Sequence, residues 1–112
     1  MGDAAFHNLL VENAAYIESL TSKQVVITDN NTIVAGMASG AEIASASGNQ
    51  TVGDVRIWAG TPTTNGDLTT APFTVDDDGA VKASNINLAG GSISGTLNIG
   101  GDGKIRSRLT ES

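Results

Sequence analysis

The chain has 112 residues, with 12 acidic side chains against 6 Lys and Arg and a formal charge of −6. That balance argues against a nucleic-acid interface, whose affinity comes from clustered Lys and Arg displacing counterions. The lack of cysteine removes disulfide staples, thiolate nucleophiles and Cys zinc sites together. No apolar run approaches the roughly 18 residues of a membrane span, and the opening MGDAAFHN has neither the basic nor the apolar region of a signal peptide.

The length suits one small domain. Only 4% of the chain is aromatic, Gly contributes 14 residues, and alanine pads the 39% apolar fraction. The bulky residues Phe6, Tyr16, Trp58 and Phe73 are scattered. A monomer of this composition is not expected to build a self-sufficient core. Oligomerisation, or embedding in a longer chain, would supply the missing burial.

The chain divides into an N-terminal segment, 1–22, and a β-rich module, 23–112. Apolar residues Phe6, Leu9, Leu10, Ala14, Ile17 and Leu20 recur at spacings of three and four, which predicts a helix over 3–22. Asp3 is its N-cap, and Glu12 and Glu18 fall on the polar side. Phe6, Asn13 and Leu20 are seven apart, a spacing at which a seam Asn fixes coiled-coil register. A run of short strands is the competing reading.

Residues 24–35 predict a hairpin: Val25 and Ile27 alternate on one face, Ile33 and Ala35 across the turn. Asp29-Asn30-Asn31 tolerates the left-handed backbone that a tight turn needs. Residues 36–53, GMASGAEIASASGNQTVG, form a small-residue stretch read as an extended, partly ordered segment, with Met37 and Ile43 its only sizeable apolar side chains. Residues 55–60 form a strand with Val55 and Ile57 on one face and Arg56 and Trp58 on the other. A polar loop, 61–71, carries Pro62 and the Asn65-Gly66 turn signal. A second hairpin, 73–83, follows. Phe73 and Val75 point inward, Asp76-Asp77-Asp78-Gly79 turns the chain, and Gly79 takes the left-handed position.

From Asn85 the apolar residues Ile86, Leu88, Ile93, Leu97, Ile99 and Ile105 fall in short runs separated by Gly90-Gly91, Gly95 and Gly100-Gly101. Runs of about two to four residues are marginal strands alone. They become reasonable where copies from sister chains wrap a shared axis. The spacing keeps no fixed period, which disfavours a single-chain solenoid. Lys104, Arg106 and Arg108 alternate near the C-terminus and read as a solvated strand face.

Catalytic chemistry finds little to work with. His7 is the only histidine and has no partner for a metal or a nucleophile. Setting Gly79 at position 6 of an EF-hand loop puts Thr74, Asp76 and Asp78 at positions 1, 3 and 5 and Asn85 at position 12, where a bidentate Glu is required. A solvated hairpin turn is the better reading of 76–78, with weak calcium binding a minor alternative. The adjacent aspartates do not make the separated acid pair of a glycosidase, and 100–104 lacks the Walker spacing. Trp58, flanked by Val55 and Ile57, reads first as a packed strand residue, and second as a sugar-stacking ring. No catalytic residue, cofactor or metal site is assigned.

One run carries a family resemblance. Ile57-Trp58-Ala59-Gly60, a Pro-containing loop, Ala71-Pro72-Phe73-Thr74-Val75, an Asp-Gly turn and Ala80-Val81-Lys82-Ala83-Ser84-Asn85 precede the Gly-spaced apolar runs. This pattern resembles bacteriophage and prophage tail-fibre or tail-tip proteins, and FHNLLVENAAYIESLTSKQVVI is similar to the pieces that precede it there. The resemblance implies a mainly β, homotrimeric, intertwined module with a short N-terminal helix. It implies a virion-tail location, synthesis in the bacterial cytoplasm, other tail proteins as partners and contact with a bacterial surface, usually glycan or protein. The residues expected to face the trimer axis are Phe73, Val75, Ile86, Leu88, Ile93, Leu97 and Ile99. The alternative is a carbohydrate-binding module, with Trp58, Thr63 and Asn65 as candidate receptor contacts. A fibre-borne glycan-degrading enzyme, with Asp77 as its test residue, is the third and weakest.

Overall fold

The computed structural model describes residues 10–45, 48–101 and 103. It is mainly β. Strands β1 (Gln24–Asp29), β2 (Thr32–Ala38), β5 (Val55–Ala59), β6 (Phe73–Asp76) and β7 (Val81–Ala83) form one antiparallel sheet in the order β1-β2-β5-β6-β7. Strands β3 (Glu42–Ser45) and β4 (Gly48–Thr51) form a separate hairpin.

The β1–β2 turn follows from its sequence. Asp29 pairs with Thr32, so the loop is the two residues Asn30 and Asn31, with φ of 49° and 64°. Two consecutive left-handed residues define the turn whose twist matches the flanking strands, and asparagine tolerates that conformation. At the other end of the sheet, Asp76 Oδ1 accepts from the backbone N–H groups of Asp78 (3.0 Å) and Ala80 (2.8 Å). Gly79 takes φ +81° there, so the aspartate run closes the hairpin as expected.

Two bulges reset the alternation. In β2, Ile27 pairs with Ala35 and Thr28 with Ile33, which leaves Val34 as the extra residue. In β5, Val55 pairs with Asp76 and Ile57 with Val75, which leaves Arg56 extra. An extra residue moves everything beyond it to the opposite face. Ile33 and Val55 therefore turn inward and are buried, while Ala35 and Ile57 face outward. The expected pairings of Ile33 with Ala35 and of Val55 with Ile57 on one face are corrected accordingly. The hairpin 73–83 forms as expected, but Thr74 is its buried residue; Phe73 and Val75 point away from the chain's own core.

The core lies on the inner face. Val55, Trp58, Ile33 and Ala38 meet Ile43, Val52, Leu68 and Ala71. The described residues of the small-residue stretch end β2, build β3 and β4, and lay Ile43 and Val52 over the sheet. Small side chains there serve close approach. Gly36 lies opposite Trp58, and a Cβ on it would strike Cζ2 of that indole and sit 2.7 Å from the Val25 carbonyl oxygen. The Arg56 guanidinium holds the hairpin roots. It donates from Nη1 to the carbonyls of Ala38 (2.9 Å) and Gly40 (3.2 Å), and from Nη2 to that of Gly53 (2.7 Å).

Two expected elements are not shown among the described residues. Residues 10–22 contain no helix, and Leu10, Tyr16, Ile17 and Leu20 are exposed; residues 3–9 of that expected helix lie outside the described residues. An apolar stripe stabilises a short helix only when something packs on it, and among the described residues this stripe stays exposed. Residues 84–101 likewise contain no strand. Their runs meet no partner ladder among the described residues, and Ile86, Leu88, Ile93, Leu97 and Ile99 are all exposed.

Candidate functional site

The outer face of the sheet carries an apolar surface that crosses all five strands. Side chains opposite one another in an antiparallel ladder share a face. The registers therefore line up two rows across all five strands: Val25, Met37, Ile57, Val75, Val81, and Ile27, Ala35, Ala59, Phe73, Ala83. Every member is apolar and none is buried. Met37 is 51% exposed and Ile57 42% exposed at the centre of the sheet. Beside these rows, Leu20, Lys23, Val25, Met37, Arg56 and Ile57 border a shallow groove of about 430 Å³.

Of the residues expected at a trimer axis, Phe73 and Val75 belong to these rows. Ile86, Leu88, Ile93, Leu97 and Ile99 lie on the segment that continues from β7, with Leu88 76% exposed. The structure therefore does not gather the seven residues into one cluster within a single copy. Val25, Ile27, Met37, Ile57 and Val81 were missed from the sequence. Their signal was present: Val55-Arg56-Ile57-Trp58 is apolar on both faces once the bulge at Arg56 is allowed.

The candidate receptor contacts separate. Trp58 is 1% exposed and packed in the core, so its ring is not presented to a sugar, and the packed reading is the one the structure shows. Its Nε1–H is buried without a hydrogen-bond acceptor among the described residues. Thr63 and Asn65 are exposed. They border a hollow of about 300 Å³ with Thr32 and Gln50, floored by Ile33 and Leu68.

The loop that carries Thr63 and Asn65 is built by Asp67. Its Oδ1 accepts from Thr69 N–H (3.1 Å) and Thr69 Oγ1 (2.6 Å). Its carbonyl accepts from Thr70 Oγ1 (2.7 Å), which in turn accepts from Thr64 N–H (3.0 Å). This fixes the short 3-10 turn Leu68–Thr70 and drives Leu68 into the core. The hollow offers neutral hydroxyl and amide groups, which suit hydrogen bonding to a neutral polar ligand and supply no acid or base.

The carboxylates of Asp76, Asp77 and Asp78 come within 4.8 Å of one another. Asp77 and Asp78 are exposed, and one oxygen of Asp76 is committed to the two turn N–H groups. His7 and the Lys104, Arg106, Arg108 cluster lie outside the described residues. No family model, curated protein or solved structure matches the chain.

Proposed function

We propose that this chain is a structural module of a bacteriophage or prophage tail fibre or tail tip, assembled as a homotrimer that forms shaft or neck and supports host attachment. The observation that carries the reading is the placement of the tail-fibre-like run. It occupies β5, the Pro-containing loop, β6 and β7, and leads straight into the Gly-spaced segment whose five large apolar side chains a single copy leaves uncovered. In a trimer those side chains meet at the axis, and the short runs find partner strands in the sister chains, which removes free edges. The role is mechanical, and its partners are copies of itself, other tail proteins and the bacterial surface.

Light scattering after size exclusion tests this directly: the expected mass is three times the 11.3 kDa chain. Leu97→Asp is expected to abolish assembly, because three carboxylates would be buried together near the axis. A monomeric wild-type chain, or a trimeric Leu97→Asp protein, would overturn the arrangement.

A second reading rests on the hollow beside Thr63 and Asn65: a carbohydrate-binding module for a bacterial surface glycan. Glycan-array binding lost in Asn65→Ala, with Trp58 emission unchanged, would support it. Absence of any glycan binding leaves the structural reading alone.

A further inference from the structure

We infer that the hollow between β4 and the 61–66 loop is a binding subsite for one neutral sugar ring bearing adjacent hydroxyls, with the Gln50 carboxamide as its anchor. The inference rests on the carbohydrate-binding reading above and deepens it: it names the anchoring residue, which that reading did not, and the class of sugar.

Gln50 is the anomaly of the inner layer. It pairs with Ile43 across the β3–β4 hairpin and shares its face, so that it is only 7% exposed. It borders the hollow together with the core residues Ile33 and Leu68. Its side chain makes no hydrogen bond among the described residues. A carboxamide carries two N–H donors and an acceptor oxygen, and buried groups of this kind are nearly always satisfied. Trp58 Nε1 is the sealed polar atom without a partner among the described residues. The Gln50 amide is not sealed, and the space it borders is the hollow. What occupies the hollow therefore supplies the hydrogen bonds that the chain does not.

The lining selects the ligand. About 300 Å³ lies at the small end of ligand pockets, room for one ring. No Lys, Arg, Asp or Glu borders it, so a carboxylate, phosphate or ammonium would shed water without meeting a counter-charge. The amides of Gln50 and Asn65 and the threonine hydroxyls offer neutral hydrogen bonds, above an apolar floor of Ile33 and Leu68. Two adjacent hydroxyls of a sugar ring match a carboxamide edge: one donates to Oε1, and the other accepts from Nε2. The C–H face of the ring then covers the apolar floor. A peptide strand would need a free strand edge, and beside the hollow that edge is taken. Thr51 N–H donates to the Gly66 carbonyl (2.8 Å), and Thr51 bridges to Asp67. The same contacts fix the walls before a ligand arrives, with Thr64 N–H held on Thr70 Oγ1, so little ordering is lost on binding.

The test is an array of neutral hexose oligosaccharides beside uronic-acid and sialylated counterparts, probed with the full chain. Each hit is then titrated against wild type and Gln50→Met. Methionine keeps the length and bulk of the side chain and removes both hydrogen-bonding ends. Because Gln50 makes no hydrogen bond among the described residues, the urea midpoint and Trp58 emission are expected to hold. Affinity for a neutral hit is expected to fall about tenfold or more, as loss of two ordinary hydrogen bonds implies. Neutral hits that keep their affinity in Gln50→Met, or hits confined to anionic glycans, overturn this subsite and leave the carbohydrate-binding reading standing. A Gln50→Met chain that loses its fold shows the amide to be satisfied within the protein, and overturns the anchor as well. No glycan bound at all overturns both, and gives the Gln50 amide to an ordered water.

Discussion

Ile57 and Trp58 are neighbours on β5 with opposite surroundings. Trp58 points into a layer built by the β3–β4 hairpin and the 3-10 turn, and is buried. Ile57 points to the other side, where it stays 42% exposed beside the shallow groove that Leu20 borders. Both faces of the sheet are apolar, so hydrophobicity does not distinguish them. Connection length does. Two long connections cross the inner face and carry Ile43, Val52, Leu68 and Ala71 onto it, while the tight turns at the sheet's flanks carry nothing. Among the described residues the sheet is apolar on both faces and covered on only one.

The comparison breaks most completely at Trp58. Trp58→Ala removes the largest fully buried side chain and is expected to cost about 3–5 kcal/mol in urea unfolding, enough to leave a small domain mostly unfolded. Gly60→Ala comes next. Gly60 has φ +96°, and an added Cβ would strike Pro72 Cγ and lie 2.8 Å from its Cδ. The left-handed backbone alone costs about 1–2 kcal/mol, and overpacking adds about 1–3 kcal/mol. A shift in the urea midpoint, with the slope unchanged, would read it. Asp67→Ala deletes both side-chain hydrogen bonds that set the 3-10 turn and is expected to cost about 1 kcal/mol, as loss of a cap does. A larger loss would mean that Leu68 leaves the core with it.

The local geometry was legible in the sequence wherever a turn residue forces it. Asn30-Asn31 and the 76–79 turn announced both hairpins, and alternation found β1, β5 and β6. The faces were not legible, because period-two reasoning assumes an unbroken ladder. One extra residue at Val34 and another at Arg56 inverted the assignment of Ile33 and Val55. The small-residue stretch hid a hairpin because Gly36, Ala38 and Ala44 signal little by themselves. Their meaning is the space they leave for Trp58 and the overlying strands. Residues 10–22 and 84–101 were given elements that the structure does not show, since their periodicity describes faces that need partners. At the candidate site, Phe73 and Val75 were found and Met37 and Ile57 were not, while Trp58, read first as packed and second as a receptor contact, is buried as the first reading has it.

The smallest expected effect is also the sharpest measure of the two faces. Val52 is 0% exposed under the hairpin, and Val81 is 59% exposed on the outer face. Truncating each to alanine deletes the same atoms. Val52→Ala loses buried methyl groups and leaves a cavity, for about 2 kcal/mol at any protein concentration. Val81→Ala in a dissociated chain removes atoms already in water, for less than ~0.5 kcal/mol. Where copies associate through the outer face, the cost of Val81→Ala climbs with protein concentration while that of Val52→Ala does not, because only the former is then linked to association by mass action. Urea titrations of both variants across a hundredfold range of concentration would separate them. Parallel behaviour of the two valines would mean that the outer face stays open, whatever holds the copies together.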